Sequence, residues 1–237
     1  MSVELSGDYG ERLKKALEKI LPLQLLLEER IKALIAYSEE LFFWNEKINL
    51  VGDLRSHRLE QKEKEDLFIH RHLVDSLSAL PLLLEKNQLT GLSKKKVSAV
   101  DVGSGAGLPG IPLAIFTPDW EWSFIERSGK RCSFLRNVIA LCGLSPRVFV
   151  DEGELAQKKR LFSVVVFRAF RPLPLFFDAL FALLEEDGWI FAYKGKKTTV
   201  LKEIDSLKGA VHKGAFEITS LLLGEEERTL FCFQKKK

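Results

Sequence analysis

The chain has 237 residues, enough for one large domain or one domain with a helical extension and too few for several. Hydrophobic residues make up 46% and charged residues 29%, which excludes a disordered or fibrous chain. With 36 Lys and Arg against 33 Asp and Glu, the net charge of +3 is too weak by itself to argue for a nucleic-acid partner. The excess is local: residues 1–96 carry 16 basic and 16 acidic side chains, and residues 97–237 carry 20 and 17. No apolar run reaches the ~18 residues that span a bilayer, and Met1–Glu18 mixes both charges without the apolar core of a signal peptide. Cys132, Cys142 and Cys232 are odd in number and lack CxxC spacing, which fits reduced packing residues and neither a disulfide framework nor a zinc site. The expectation is a cytoplasmic protein, without metal and off the membrane.

Taken in order, the first ninety residues read as helices. Asp8 followed by Glu11 predicts a capping box, with Leu13, Leu17, Ile20 and Leu21 at helical spacing behind it. Leu27, Ile31, Leu34, Ile35, Leu41 and Phe42 predict a longer helix ending near Trp44. Residues 52–66 are charge-dense and read as a solvated loop or exposed helix rather than a binding segment. A third helix covers about Leu67–Leu84, and Gly91–Lys96 reads as a linker.

After residue 96 the period changes. Strands are expected at Val97–Val102, Trp122–Glu126, Val148–Asp151, Phe162–Phe167 and Trp189–Tyr193. Helices alternate with them at Leu113–Phe116, Cys132–Leu141, Pro172–Glu185 and Val200–Leu207. Phe216–Leu222 and Thr229–Phe233, joined by a turn around Gly224–Glu227, should form an antiparallel hairpin. The expected fold is α/β: a mostly parallel Rossmann-like sheet with helices on both faces and a terminal hairpin (residues 97–237), preceded by a helical extension (residues 1–96).

Asp101-Val-Gly-Ser-Gly-Ala-Gly-Leu-Pro-Gly110 ends the first strand and opens a helix, and its glycines let backbone approach a ligand closely. Two ligands compete for it. Gly105, Gly107 and Gly110 satisfy GxGxxG, with Glu126 at the distance of a ribose-binding acid, as in dinucleotide sites. Alternatively, Asp101, Gly103, Gly105 and Gly107 form a loop for S-adenosylmethionine, Asp101 holding the methionyl part and Glu126 the ribose hydroxyls. A pyrophosphate needs free N–H groups at the helix start, where Pro109 and Pro112 each remove one, and Asp101 would repel it. The prolines favour the methyl donor.

Asp101–Pro112, Glu126-Arg-Ser-Gly-Lys-Arg131, Arg71-His-Leu-Val-Asp-Ser76 and Trp44-Asn-Glu-Lys-Ile-Asn-Leu50 together resemble the bacterial RsmG family, also called glucose-inhibited division protein B. The likeness runs from about residue 25 to 233. It implies S-adenosylmethionine-dependent methylation of N7 of one guanine, position 527, in 16S rRNA. It further implies cofactor contacts at Gly103 and Leu108, around Glu126 (Arg127 and Ser128), at Gly153 and Glu154, and at Arg168. Glu152 stands where the family usually carries a basic residue, and Phe167 where it carries a small polar one.

The chemistry suits such an enzyme. A sulfonium leaves as a neutral thioether and guanine N7 carries a free lone pair, so neither acid nor base is needed, and positioning supplies up to ~7–11 kcal/mol. No catalytic dyad stands out. Phe167-Arg-Ala-Phe170 replaces the [DN]-P-P-[YF] tetrapeptide of exocyclic-amine methylases, and no cysteine sits where a 5-methylcytosine enzyme keeps its nucleophile. A ring nitrogen acceptor fits best.

RNA-facing charge is expected at the carboxyl edge of the sheet. Lys130, Arg131 and Arg136 follow the second strand, Arg168 and Arg171 the fourth, and Lys194, Lys196 and Lys197 the fifth. Arg131, Arg168 and Lys194 are the positioning candidates. Phe170 either stacks on the target base or packs beneath the next helix, and Lys158-Lys-Arg160 reads as a solvated turn. Arg71 or His72 should face the cofactor's carboxylate end, tied down by Asp75 and Ser76, and the Trp44, Asn45 and Asn49 cluster reads as a structural joint. The expected partner is 16S rRNA or the 30S subunit, and the expected state a monomer. A methyltransferase for another RNA or a small molecule, an NAD-dependent oxidoreductase and a non-enzymatic RNA-binding module are the rivals.

Overall fold

The computed structural model describes residues 4–89, 96–155, 160–168, 172–207, 214–223 and 226–236. Most of the expected linker, Phe170, Arg171, Lys158, Lys159 and the middle of the hairpin turn lie outside them.

Seven strands form one sheet: β1 (Ser98–Val102), β2 (Glu121–Glu126), β3 (Val148–Glu152), β4 (Phe162–Arg168), β5 (Leu184–Lys194), β6 (Gly214–Leu223) and β7 (Glu226–Lys235). Their order is β3-β2-β1-β4-β5-β7-β6. The first five pair in parallel; β7 runs antiparallel between β5 and β6. The expected hairpin is present, inserted so that its second strand touches the parallel sheet.

β4 carries the apolar run Val164–Phe167 and β1 is buried from Ala99 to Val102, Asp101 included, because both their faces are covered. Ala99, Trp122, Phe124, Val164, Val166 and Phe191 belong to one core, whereas Val100, Val102, Ile125, Val165, Phe167 and Ile190 belong to the other. The second face is covered by α8 (Phe177–Ala182) and α9 (Lys197–Asp205). The first is covered by α6 (Gly110–Phe116) and α7 (Gly129–Leu141), together with the N-terminal helices. The helices change face where β1 meets β4, and the crevice at such a switch point is where ligands bind in open α/β sheets.

The N-terminal helices are α1 (Tyr9–Leu17), α2 (Glu28–Lys47) and a long run made of α3 (Gln61–Phe68), a π-helical stretch (Ile69–Val74), α4 (Asp75–Ser78) and α5 (Leu80–Leu89). On α2, Ile31, Leu34, Leu41 and Phe42 are buried as the pattern predicts and Tyr37 joins them, whereas Leu27, expected in the stripe, is 41% exposed just before the helix. The long run is apolar enough to cross a membrane by length and composition. Its Phe68, Ile69, Leu73, Leu77 and Leu80 are instead buried within the protein, sharing one core with the sheet. Tyr193 of β5 donates to the carbonyl of Ser76 at 2.8 Å, and Lys86 reaches Glu217 of β6 at 2.7 Å.

Four expectations are corrected. Asp8 does not cap α1; its carboxylate accepts from Ser6, Arg12 and Lys62 instead, and the capping box forms at Glu60 and Glu63. The third helix starts at Gln61, inside the segment read as a solvated loop or exposed helix; residues 61–63 are exposed, but Leu54 and Glu65 are buried. Glu65 tolerates burial because Arg12, Ser6 and Gln61 all donate to it. The helix expected over Pro172–Glu185 is a short 3-10 turn (Leu173–Leu175) followed by α8. It stops at Ala182 because Phe162 N–H takes the Leu183 carbonyl at 2.7 Å and Leu184 is already in register with Phe162.

Candidate active site

The glycine loop leaves β1 and is anchored from its first residue. Gly103 and Ser104 donate to the carbonyl of Ile125 at 2.9 and 3.2 Å, and Gly105 donates to Glu126 Oε2 at 2.9 Å. Two glycines are compelled by space. Gly107 has φ +79° and a Cβ there would sit 2.6 Å from Ile111, while one on Gly110 would sit 2.0 Å from Phe124. Asp101, fully buried, accepts from Gly110 N–H at 2.9 Å, and burial pushes its carboxyl up to about 7. From the other side, Tyr37 donates to the carbonyl of Ala106 at 2.7 Å.

The start of α6 offers a phosphate nothing. Gly110 N–H goes to Asp101, Ile111 N–H to Gly107 O and Leu113 N–H to Pro109 O, and residue 112 is proline. The preference for a phosphate-free ligand thus has a geometric basis beyond the prolines.

Three adjoining cavities open at this edge. One of about 300 Å³ lies over β1, β2 and β3, with Gly103, Glu126, Arg127, Gly153, Glu154 and Arg168 in its walls. A second, of about 360 Å³, separates Gly103–Ala106 and Leu108 from the facing segment Leu50–Asp53. The third, of about 430 Å³, is lined by Asp53, Arg71, His72, Asp75, Tyr193, Lys194 and Arg228. Arg131 borders the first two and Arg168 all three. Volumes of this size suit small-molecule sites.

Arg168 is held from the long helix. It donates to Asp75 Oδ2 at 3.0 Å, to the Arg71 carbonyl at 3.3 Å and to His72 Nδ1 at 3.1 Å. That last bond puts the proton of a neutral His72 on Nε2, which faces Asp53 at 3.3 Å. Burial pushes the His72 pKa down, while its hydrogen bond holds Asp53 below the usual carboxylate range. Asp75 also meets Arg228 at 3.5 Å, and Lys194 pairs with Glu203 at 2.8 Å. The π-helical stretch carries Arg71 and His72, and Asp75 follows it directly.

The structure brings together most residues singled out in the sequence. Gly103, Gly105, Leu108, Glu126, Arg127, Gly153, Glu154 and Arg168 line the two cavities around the loop. Asp101, Gly107 and Ser128 shape the site from beneath: Asp101 braces the loop, Gly107 packs on Ile111, and Ser128 N–H donates to Glu126 Oε1 at 2.8 Å. Among the basic residues, Arg131 and Lys194 reach the cavities, whereas Arg136 turns onto Glu152 at 2.9 Å. Lys130, Lys196 and Lys197 are exposed on the neighbouring surface. Asn45 is the joint expected of it, accepting from Leu50 and Val51 N–H at 2.9 Å each and donating to the Val51 carbonyl at 3.1 Å. Missed altogether were the wall Leu50–Asp53 and Arg228. β7 is antiparallel to its neighbours, so its first residues, not its last, reach the carboxyl edge.

A family model described as rRNA small subunit methyltransferase G matches residues 30–231, most of the chain. The chain belongs to the GidB family. Among curated relatives, the Ribosomal RNA small subunit methyltransferase G of Borrelia turicatae is 29% identical over 83% of this chain and 90% of its own length. That of Chromobacterium violaceum is 33% identical over 72% and 73%. Among solved structures, an O-methyltransferase from Bacillus cereus in complex with SAH superposes with a TM-score of 0.55, covering 84% of this chain and 91% of that one at 16% identity. That likeness concerns the fold alone. In this GidB-family chain the match spans the Trp44–Leu50 turn, the long helix, the glycine loop and Arg228. Among the described residues no group of three or more His, Cys, Asp or Glu is placed to hold a metal ion.

Proposed function

We propose that the chain transfers a methyl group from S-adenosylmethionine to N7 of one guanine, position 527, in 16S rRNA. The observation that carries this reading is the Arg168 guanidinium, common wall of the glycine-loop cavities and of a cation-rich acceptor cavity. S-adenosylmethionine supplies a methyl group on a sulfonium whose departure as a thioether needs no proton.

The chain's own residues then have to hold two partners in line. Gly103, Gly105 and Leu108 give a close backbone surface for the donor, and Glu126 offers its remaining lone pairs to hydroxyl groups beside Gly103. Among the described residues no free base stands in the acceptor cavity: Asp53 faces His72, and Asp75 faces Arg168 and Arg228. That suits an acceptor nitrogen carrying no proton, for which orientation is the main contribution. Arg71, Arg168, Lys194 and Arg228 surround the cavity with four cations, suited to the phosphates that flank a base.

Methyl incorporation from labelled S-adenosylmethionine into small-subunit RNA from a strain lacking this gene tests the reading, with RNA from the intact strain as control. Borohydride and aniline cleavage then maps N7-methylguanine. Incorporation at one guanine of the deficient RNA alone is expected. Tight cofactor binding without incorporation into naked RNA or 30S particles would remove the substrate assignment. Lys194→Ala, in the acceptor cavity and away from the glycine loop, should lower RNA methylation at least ~10-fold, equivalent to about 1.4 kcal/mol, while cofactor affinity stays within about twofold.

A further inference from the structure

A fourth cavity, of about 320 Å³, lies outside the site just described, between the end of α2, residues 54–57 and the start of α3. Its rim carries Arg55, His57 and Lys64 with one carboxylate, Glu46, and its floor is Phe42 and Leu54. Other cations of the N-terminal helices are paired: Lys62 holds Asp8 at 2.7 Å, Lys32 holds Glu28 at 2.7 Å and Arg12 holds Glu65 and Asp66. Arg55 and Lys64 have no such partner among the described residues. Two cations without an ion pair among the described residues thus share one groove with a single carboxylate, Glu46.

The groove is joined to the acceptor cavity in two ways. Asp53 lines the acceptor cavity and Leu54 and Arg55 the groove, so one short segment forms a ridge between them. The α3 helix and the π-helical stretch after it carry Lys64 to the groove and Arg71 to the cavity. Seven residues separate them, about 10 Å along the axis, or about three nucleotides of a stacked strand at ~3.4 Å each.

We propose that this groove is a second RNA contact, in which Arg55 and Lys64 bind phosphodiester oxygens of the strand flanking the methylated nucleotide. This rests on the rRNA reading given above. Phosphate is the partner that matches the groove: Arg55 and Lys64 have no ion pair among the described residues, and its apolar floor is nearly covered, Phe42 being 6% and Leu54 3% exposed, which leaves little for a protein's apolar side chain to bury against.

The test compares the full chain with Arg55→Glu/Lys64→Glu, and with Lys14→Glu/Lys15→Glu as an equal charge change beside Glu28 at the far end of α2. For the groove variant, KM for small-subunit RNA should rise at least ~10-fold with kcat within about twofold and cofactor affinity unchanged, while the control stays as wild type. In the milder Arg55→Ala/Lys64→Ala, the dependence of log K for RNA on log salt should become shallower by about 1.4, two contacts at ~0.7 each. Unchanged KM and salt dependence in variants that still bind cofactor, beside a wild type that methylates RNA, would overturn the groove alone. A wild type that methylates no RNA would overturn both assignments.

Discussion

Asp101 is a carboxyl used as a brace. Both its neighbours in space are backbone or apolar: Gly110 donates to one oxygen, the other is buried without a partner, and Phe124 closes against Gly110. Because burial raises its pKa to about 7 from 3.8, the folded state keeps a proton that the unfolded chain releases at lower pH. Stability from this group is therefore full below about pH 4 and is lost as pH rises towards about 7, by about 4 kcal/mol in all. Asp101→Asn keeps the acceptor for Gly110 and removes the titration. The difference in Tm between this variant and the wild type should grow in the variant's favour by several degrees between about pH 4 and about pH 8. A constant difference would mean that Asp101 is ionised throughout.

Among the elements, the turn after α2 has most to do with the site. Asn45 holds Leu50 and Val51 by three hydrogen bonds, and those residues with Gly52 and Asp53 form the wall facing the glycine loop. Asn45→Ala leaves two N–H groups and one carbonyl without their partner, a loss of about 2–3 kcal/mol. A Tm lowered by roughly 5–10 °C is expected, with weaker cofactor binding. Unchanged binding in a destabilised variant would separate the wall from the ligand. The glycine loop was legible because three glycines at fixed spacing after a buried strand have few other uses. The wall was not, since Leu50–Asp53 becomes part of a site only when α2 packs on α7 and Arg131 meets the Asn49 carbonyl at 3.5 Å. Strand β4 could be read from its apolar run and β1 from its alanine and valines ahead of the glycine loop, but not the start of α3. Its Gln-Lys-Glu-Lys-Glu opening looks solvated until Arg12, more than fifty residues earlier, supplies the partner that lets Glu65 turn inward.

At the scale of the whole molecule, the helices of residues 9–89 are the cover of one sheet face. Phe191, Tyr193 and Leu230 share a core with Tyr9, Leu13, Leu34 and Leu77. Arg12 fastens α1 to α3 through Glu65, whose side chain is 0% exposed, so removing the cation strands a buried carboxylate. Arg12→Ala should cost about 3–5 kcal/mol and lower Tm by roughly 10 °C. Because the core is shared, far-ultraviolet dichroism and the fluorescence of the four tryptophans, Trp44 among the helices and Trp120, Trp122 and Trp189 in the sheet part, should lose their native signals at the same temperature. Two separate midpoints would show that the helices open independently of the sheet.

The position of β7 bears on the order in which the protein can mature. β6 leaves the ribosome before β7 yet touches only β7 in the sheet, so it has no place to dock until its successor arrives. Arg228, the second cation on Asp75, arrives with that same strand. A nascent chain halted after β6 already holds the glycine loop, Glu126 and Arg168, but its acceptor cavity lacks one wall and β5 presents a bare edge. The last residue of the acceptor cavity is thus made more than a hundred residues after the donor loop.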